Sequence, residues 1–159
     1  MLTQLFVMAA EANTQDFSAL MILMQEWGIR PPSWVGSDPC AEGWEGIDCS
    51  NSRVTSIMLA SRGLTGQLPS AIQLLSELEI LDLNNNRLSD QIPPSIGSLS
   101  NLNYLDLTGN KLNGYIPVSS GTTPGLDMLH NAEHLILDNN NLTGRIPSTI
   151  GNVQTLLTV

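Results

Sequence analysis

The stretch "LDLTGNKLNGYIP" (Leu105–Pro117) sets leucines two residues apart, then a lone asparagine, a glycine and an Ile-Pro. The same order returns upstream as "LDLNNNRLSDQIP" (Leu81–Pro93) and downstream as "LILDNNNLTGRIP" (Leu135–Pro147). A looser copy is "IMLASRGLTGQLP" (Ile57–Pro69). Aligned on the asparagine, the copies start at Val54, Leu78, Leu102, Ala132 and Leu156, at intervals of 24, 24, 30 and 24 residues. A unit this short cannot bury its apolar face alone, so the units must stack into a solenoid.

The pattern L-x-x-L-x-L-x-x-N-x-L at a period of about 20–29 residues is the leucine-rich-repeat signature. It predicts an α/β fold: a right-handed horseshoe with parallel strands on its concave face and a helical cap at its N-terminus. In each copy L-x-L is a short strand whose alternate residues point in and out. Ile57/Leu59, Leu81/Leu83, Leu105/Leu107 and Leu135/Leu137 point inward. The turn that follows buries backbone groups that need partners. An asparagine side chain offers both acceptor and donors, so Asn86, Asn110 and Asn140, one per coil, form a ladder. Arg62 stands in that column in the first copy, as suits an atypical terminal repeat. Leu64, Leu88, Leu112 and Leu142 bury beyond the turn. Gly66, Gly114 and Gly144 then permit a tight bend. Asp90 replaces glycine in the second copy, where a different bend is expected. Pro69, Pro93, Pro117 and Pro147 end the backbone pairing, and Ile72, Ile96 and Ile150 open the return leg. The third copy carries six extra residues within "VSSGTTPGLDMLHN" (118–131), a Gly/Ser/Thr/Pro-rich loop expected to leave the solenoid on one face, often the binding face.

Of the 159 residues, 42% are hydrophobic, 13% charged and 4% aromatic. Fifteen acidic against six basic residues give a net charge of −9, which repels phosphate backbones and makes nucleic acid an improbable partner. No run of about 18 apolar residues is present, so these residues offer no direct membrane insertion. Residues 1–12 carry a short apolar patch and an Ala-x-Ala-like site (Ala10–Ala12), as in the end of a signal peptide. They read as a signal remnant or a disordered segment. Cys40 and Cys49 lack the second Cys/His pair of a zinc site; a local disulfide implies an oxidising compartment, and two buried thiols are the alternative.

A solenoid needs caps, and residues 13–53 supply the N-terminal one. Asn13 or Asp16 can cap a helix with Phe17, Leu20, Met21, Leu23, Met24 and Trp27 on its apolar face and Gly28 at its end. "RPPSW" is an extended link, Trp34, Trp44 and Ile47 cover the first repeat, and a Cys40–Cys49 bridge would staple the unit. The repeats fill residues 54–159. The last is truncated at Val159, where apolar surface and a strand edge are expected to be bare, as in a fragment of a longer protein.

Together these residues resemble the ectodomains of plant leucine-rich-repeat receptor-like kinases. The repeat variant L-x-G-x-[IL]-P reads here as "LTGQLP", "LNGYIP" and "LTGRIP". The cap reads as "SWVGSDPC" and "WEGIDC". "GTTPGLDML" and "LSELEILDL" resemble the subfamily numbered VIII, some of whose members are linked to extracellular peroxide sensing. The resemblance implies an apoplastic module, on the outer side of the plasma membrane, that recognises a protein, peptide or small extracellular ligand or a co-receptor. In full-length relatives it is joined to a membrane helix and a cytoplasmic Ser/Thr kinase. No G-x-G-x-x-G, H-R-D or D-F-G motif occurs here, so kinase activity is not assigned to these residues. A rival on the same repeats is a secreted inhibitor of a cell-wall-degrading enzyme.

The candidate partner-binding residues lie on outward strand positions: Ile80, Asp82, Tyr104, Asp106, His134, Ile136 and Asp138, with Ser56, Met58, Ala60, Asn84 and Thr108 beside them. "HNAEH" (His130–His134) matches a zinc-protease pattern that needs both histidines on one helical face, whereas Glu133 and His134 open a strand here; no metal, cofactor or catalytic residue is expected. "NLT" (Asn141–Thr143) is a glycosylation sequon with Asn141 facing outward.

Overall fold

The computed structural model describes residues 13–28 and 31–159. The expected signal remnant at residues 1–12 and Arg30 of the link lie outside these. The chain starts with helix α1 (Thr14–Glu26), then strands β1 (Ile47–Ser50) and β2 (Arg53–Met58). Strands β3 (Ile80–Asp82), β4 (Tyr104–Asp106), β5 (Asn113–Gly114), β6 (His134–Ile136) and β7 (Asn141–Leu142) follow at the repeat spacing. The return legs are short 3-10 turns: η1 (Ser70–Leu74), η2 (Pro94–Ser98), η3 (Leu126–Met128) and η4 (Ser148–Asn152).

One sheet runs β1-β2-β3-β4-β6, parallel from β2 onward, and β5-β7 form a small second sheet. The 3-10 turns pack on one another along the other side. Between these layers Ile57, Leu59, Leu81, Leu83, Leu105 and Leu107 are fully buried, as period-two strands facing a core require. Leu137 and Leu142, in the last coil, are only partly buried.

Each ladder asparagine joins two coils. Asn110 Oδ1 accepts from the Leu88 N–H at 3.0 Å, while its Nδ2 donates to Leu83 and Leu107 carbonyls, each at 3.0 Å. Asn86 accepts from the Arg62 and Leu64 N–H groups and donates to the Leu59 and Leu83 carbonyls. Asn140 accepts from Leu112 N and donates to Leu107 and Leu137. The bend after this turn is the same in all copies. Asp90 has φ +67°, beside +76°, +78° and +85° for Gly66, Gly114 and Gly144, which corrects the expectation of a different bend. A short polar side chain tolerates the left-handed region better than most.

The cap is built differently from the sequence expectation in three respects. Asn13 alone caps α1, its Oδ1 accepting from Gln15 N at 2.8 Å. Asp16 is instead fully buried: it takes the Arg53 Nε and Nη2 hydrogen bonds and the Val54 N–H at 2.9 Å, tying helix to first repeat. Met21 is exposed, because the buried face is set by Asp16, Ala19, Leu20, Leu23 and Trp27. Trp34 stacks on Trp44 at 5.1 Å, and their indole N–H groups donate to the Glu45 and Val35 carbonyls. Cys40 and Cys49 are disulfide-bonded. Strand β1, not foreseen from sequence, pairs antiparallel with β2 through the turn at Asn51 and Ser52, both in left-handed backbone. It covers the first edge of the parallel sheet. At the other end Thr158 bridges to His134 and its carbonyl accepts from Leu135 N, so the edge of β6 is covered, while the expected apolar surface is exposed at Ile146, Leu157 and Val159.

The insertion lies away from the concave strands. It leaves at Pro117 and re-enters through η3, which packs between η2 and η4. Asp127 clasps it, accepting from the Ser119 N–H at 2.7 Å and hydroxyl at 2.8 Å. Burial alone would push this carboxyl up, but its hydrogen bonds, those from Ser119 foremost, together outweigh it and hold the group below its ordinary pKa.

Two outcomes are expected. Asn110→Ala strips partners from buried turn groups and costs on the order of 1–3 kcal/mol, whereas Asn113→Ala, at an exposed position, costs little. Equal denaturant midpoints would contradict the ladder. For Asp127 the folded pKa lies below the unfolded one, so the clasp adds stability above the unfolded value that is lost as pH falls through the folded one. Asp127→Asn is therefore less stable at neutral pH by about 1 kcal/mol or more, and its melting temperature falls less than wild type's on acidification. Parallel acid profiles would refute the clasp.

Candidate functional site

The register places outward side chains in rows across the coils. Ser56, Ile80, Tyr104 and His134 form the first row, and Met58, Asp82, Asp106 and Ile136 the second. Strand alternation puts Ala60, Asn84, Thr108 and Asp138 in a third. All seven sequence-derived candidates are thus brought onto one surface. They differ in depth: Asp138 is exposed, Asp106 is 8% exposed, and the others are intermediate. Ser56, expected on open surface, is only 4% exposed, being on the strand that β1 covers.

Tyr104 and His134 are in contact, ring centroids 5.5 Å apart and tilted. The Tyr104 hydroxyl reaches Asp106 Oδ2 at 3.4 Å. Burial first, then the charges of Asp106 and Asp82, push this phenol above its ordinary pKa. It stays protonated and acts as a hydrogen-bonding group. Asp106 Oδ1 also accepts from Thr108 N at 2.9 Å. Asn84 Nδ2 donates to Asp82 Oδ1 at 2.6 Å and reaches Asp106 Oδ2 at 3.5 Å. Thr108 Oγ1 donates to Asp138 Oδ1 at 2.9 Å. The surface is an apolar and aromatic row beside carboxylates held by neutral donors. Among the described residues the ion pairs are Arg53 with Asp16 and Glu77, and Arg62 with Glu45; none involves these carboxylates. Sequence reasoning missed the Asn84 and Thr108 bridges, although their places in the third row follow from the repeat.

His130 is exposed at the end of the insertion and His134 is on β6. Among the described residues no group of three His, Cys, Asp or Glu side chains is placed to hold a metal. Asn141 is exposed on β7, in register with Asn113, away from the concave rows.

A leucine-rich-repeat family model matches residues 52–112, and a second matches residues 131–153. A probable leucine-rich repeat receptor-like protein kinase of Arabidopsis thaliana is 46% identical over 84 residues, spanning 52% of this chain and 9% of that protein. Protein STRUBBELIG-RECEPTOR FAMILY 1, from the same plant, is 34% identical over 151 residues, 92% of this chain and 15% of that one. The chain therefore spans less than a sixth of either relative. The solved BIR3–SERK2 complex from A. thaliana matches at 32% identity with a TM-score of 0.71, covering 87% of this chain and 79% of the matched one. The repeats, the stapled cap and these matches agree: the chain belongs to the leucine-rich-repeat family, in the form found in plant receptor-like kinase ectodomains.

Proposed function

We propose that this chain is an extracellular recognition module, binding a protein or peptide ligand, or a co-receptor, through the concave rows around Tyr104. One observation carries the reading. Ile80, Tyr104 and His134 stand at matching levels of consecutive coils, with Ile136 one row over beside Asp82 and Asp106, giving an apolar centre with a polar border. Partner surfaces are built this way, with aromatic anchors inside a polar rim. The relatives are named as receptor-like kinases, and one structural neighbour was solved as a complex, BIR3 with SERK2. The disulfide fits an oxidising compartment, and with it a place on the outer side of the plasma membrane. Asn141, exposed within its sequon, is the proposed glycan acceptor, on a face that leaves the concave rows free. Among the described residues no helix is long and apolar enough to cross a membrane.

An anchor lost to alanine costs about 2 kcal/mol or more. Tyr104→Ala is accordingly expected to weaken binding roughly thirtyfold, read by calorimetric titration of the ectodomain against its identified ligand or co-receptor. The variant should melt with wild type, since Tyr104 faces away from the core. Undiminished affinity with an intact fold would move the site off these rows.

A further inference from the structure

Tyr115 directly follows β5 and is the one exposed aromatic side chain among the described residues, at 74%. Its ring crosses to the next coil and lies over Gly144. A methyl group in place of the glycine hydrogen would stand 2.6 Å from Tyr115 Cδ1 and 2.9 Å from Cε1. Gly144 has φ +85°, so the bend that calls for glycine also clears the space under the ring. One face of the ring is thus set against backbone and the other is left to solvent. The Tyr115 hydroxyl has no hydrogen-bond partner among the described residues.

A lone exposed aromatic is ordinary on a protein surface. What sets this one apart is its neighbour. Asn141, the first residue of the sequon, is in direct register with Asn113, two residues before Tyr115. Gly144, under the ring, comes three residues after Asn141. Asn141 is exposed, and its amide forms no hydrogen bond among the described residues. Three residues of chain span at most roughly 10 Å, which an asparagine side chain and one pyranose ring together can cover.

We propose that the first N-acetylglucosamine of a glycan on Asn141 packs on the open face of Tyr115. This rests on the acceptor reading of Asn141 above and adds the surface that receives the sugar. Glycosylation joins Asn141 Nδ2 to the anomeric carbon, the amide losing a proton and a pyrophosphate-linked lipid carrier departing as leaving group. In the β-linked sugar the ring substituents are equatorial, so axial C–H bonds make an apolar plate on each face. Such a plate fits a phenol ring, whose hydroxyl at the wet edge can bond a sugar oxygen. The contact ties the third coil to the fourth and fixes the stem of the glycan on the flank of the solenoid, off the concave rows.

The test uses the 159-residue chain secreted from eukaryotic cells behind a supplied signal peptide, its glycan trimmed enzymatically to a single N-acetylglucosamine. Peptide mass spectrometry reports whether Asn141 is occupied. The expected result is upfield-shifted sugar-ring protons with nuclear Overhauser contacts to the Tyr115 ring. The sugar should also raise the melting temperature by about 2 °C over Asn141→Gln, the scale of one aromatic contact in a domain of this size. Tyr115→Ala should lose the contacts, the upfield shift and the added stability, whereas Tyr115→Phe should keep the contacts and the shift. Should Tyr115→Ala melt differently from wild type when both lack the sugar, Tyr115→Leu, apolar but without a ring, decides in its place. An occupied Asn141 whose sugar gives the same shifts and the same stabilisation without the ring overturns the platform and leaves the acceptor reading intact. An unmodified Asn141 overturns both.

Discussion

The hydrogen bonding of Asn86, Asn110 and Asn140 is the constraint on which the rest depends. A coil of about 24 residues has few regular backbone bonds of its own, and the chain after each strand must turn while packed against its neighbour. Each asparagine answers both needs by holding its own turn and the preceding coil together. An aliphatic residue would fill the space but leave amide and carbonyl groups unpaired, which costs more than the packing returns. With the turn fixed, the next residues have little freedom. The leucine beyond it buries, the left-handed residue reverses direction, and the proline ends the pairing. The ladder also sets the strand register, and through it the rows of the concave face.

Closing the first coil uses different chemistry, since the ladder has no preceding coil to bond. There a buried carboxylate, Asp16, takes the Val54 N–H that begins the first repeat and is neutralised by Arg53. Removing one partner from such a pair leaves an uncompensated charge, so the helix, Arg53 and the first strand form one cooperative unit. The tryptophans supply the apolar cover, and β1 takes the strand edge that parallel pairing leaves open.

Periodicity made the repeating parts legible. Leu81, Leu105 and Asn110 could be placed because neighbouring copies carry the same type at the same offset, so one physical reading had to satisfy them all. The cap resisted because nothing in it repeats. Asp16 has the right residue type for a helix start, yet its place on the face shared with Ala19, Leu20 and Leu23 decided its role. Strand β1 was hidden because its turn, Asn51-Ser52, lacks the glycine that marks most tight hairpins. The Asp90 bend was misread for a related reason, as glycine is the common but not the sole occupant of left-handed backbone. Candidate site residues were legible as positions, since alternation fixes which side chains face out, but their depth was not. Asp106 and Ser56 are nearly enclosed because of neighbours on other strands, which a single copy of the repeat does not reveal.

This division of labour bears on how the concave face is read. Inward positions are constrained by packing and the asparagine column by backbone satisfaction, so the outward rows are the part of each coil that the fold does not dictate. A solvated row has no physical need for aromatic contact, yet Tyr104 and His134 meet there. A sheet has no need for opposed carboxylates, yet Asp82 and Asp106 stand in register, and their field is strong enough to join burial in raising the phenol beside them. Groups that cost stability in the free molecule yet do no work in the core are the ones whose balance changes when a partner arrives. A partner's donors relieve the repulsion between the carboxylates, and an apolar neighbour removes the ring from water. On the proposed reading, the same two features that weigh against the isolated sheet would favour an occupied one.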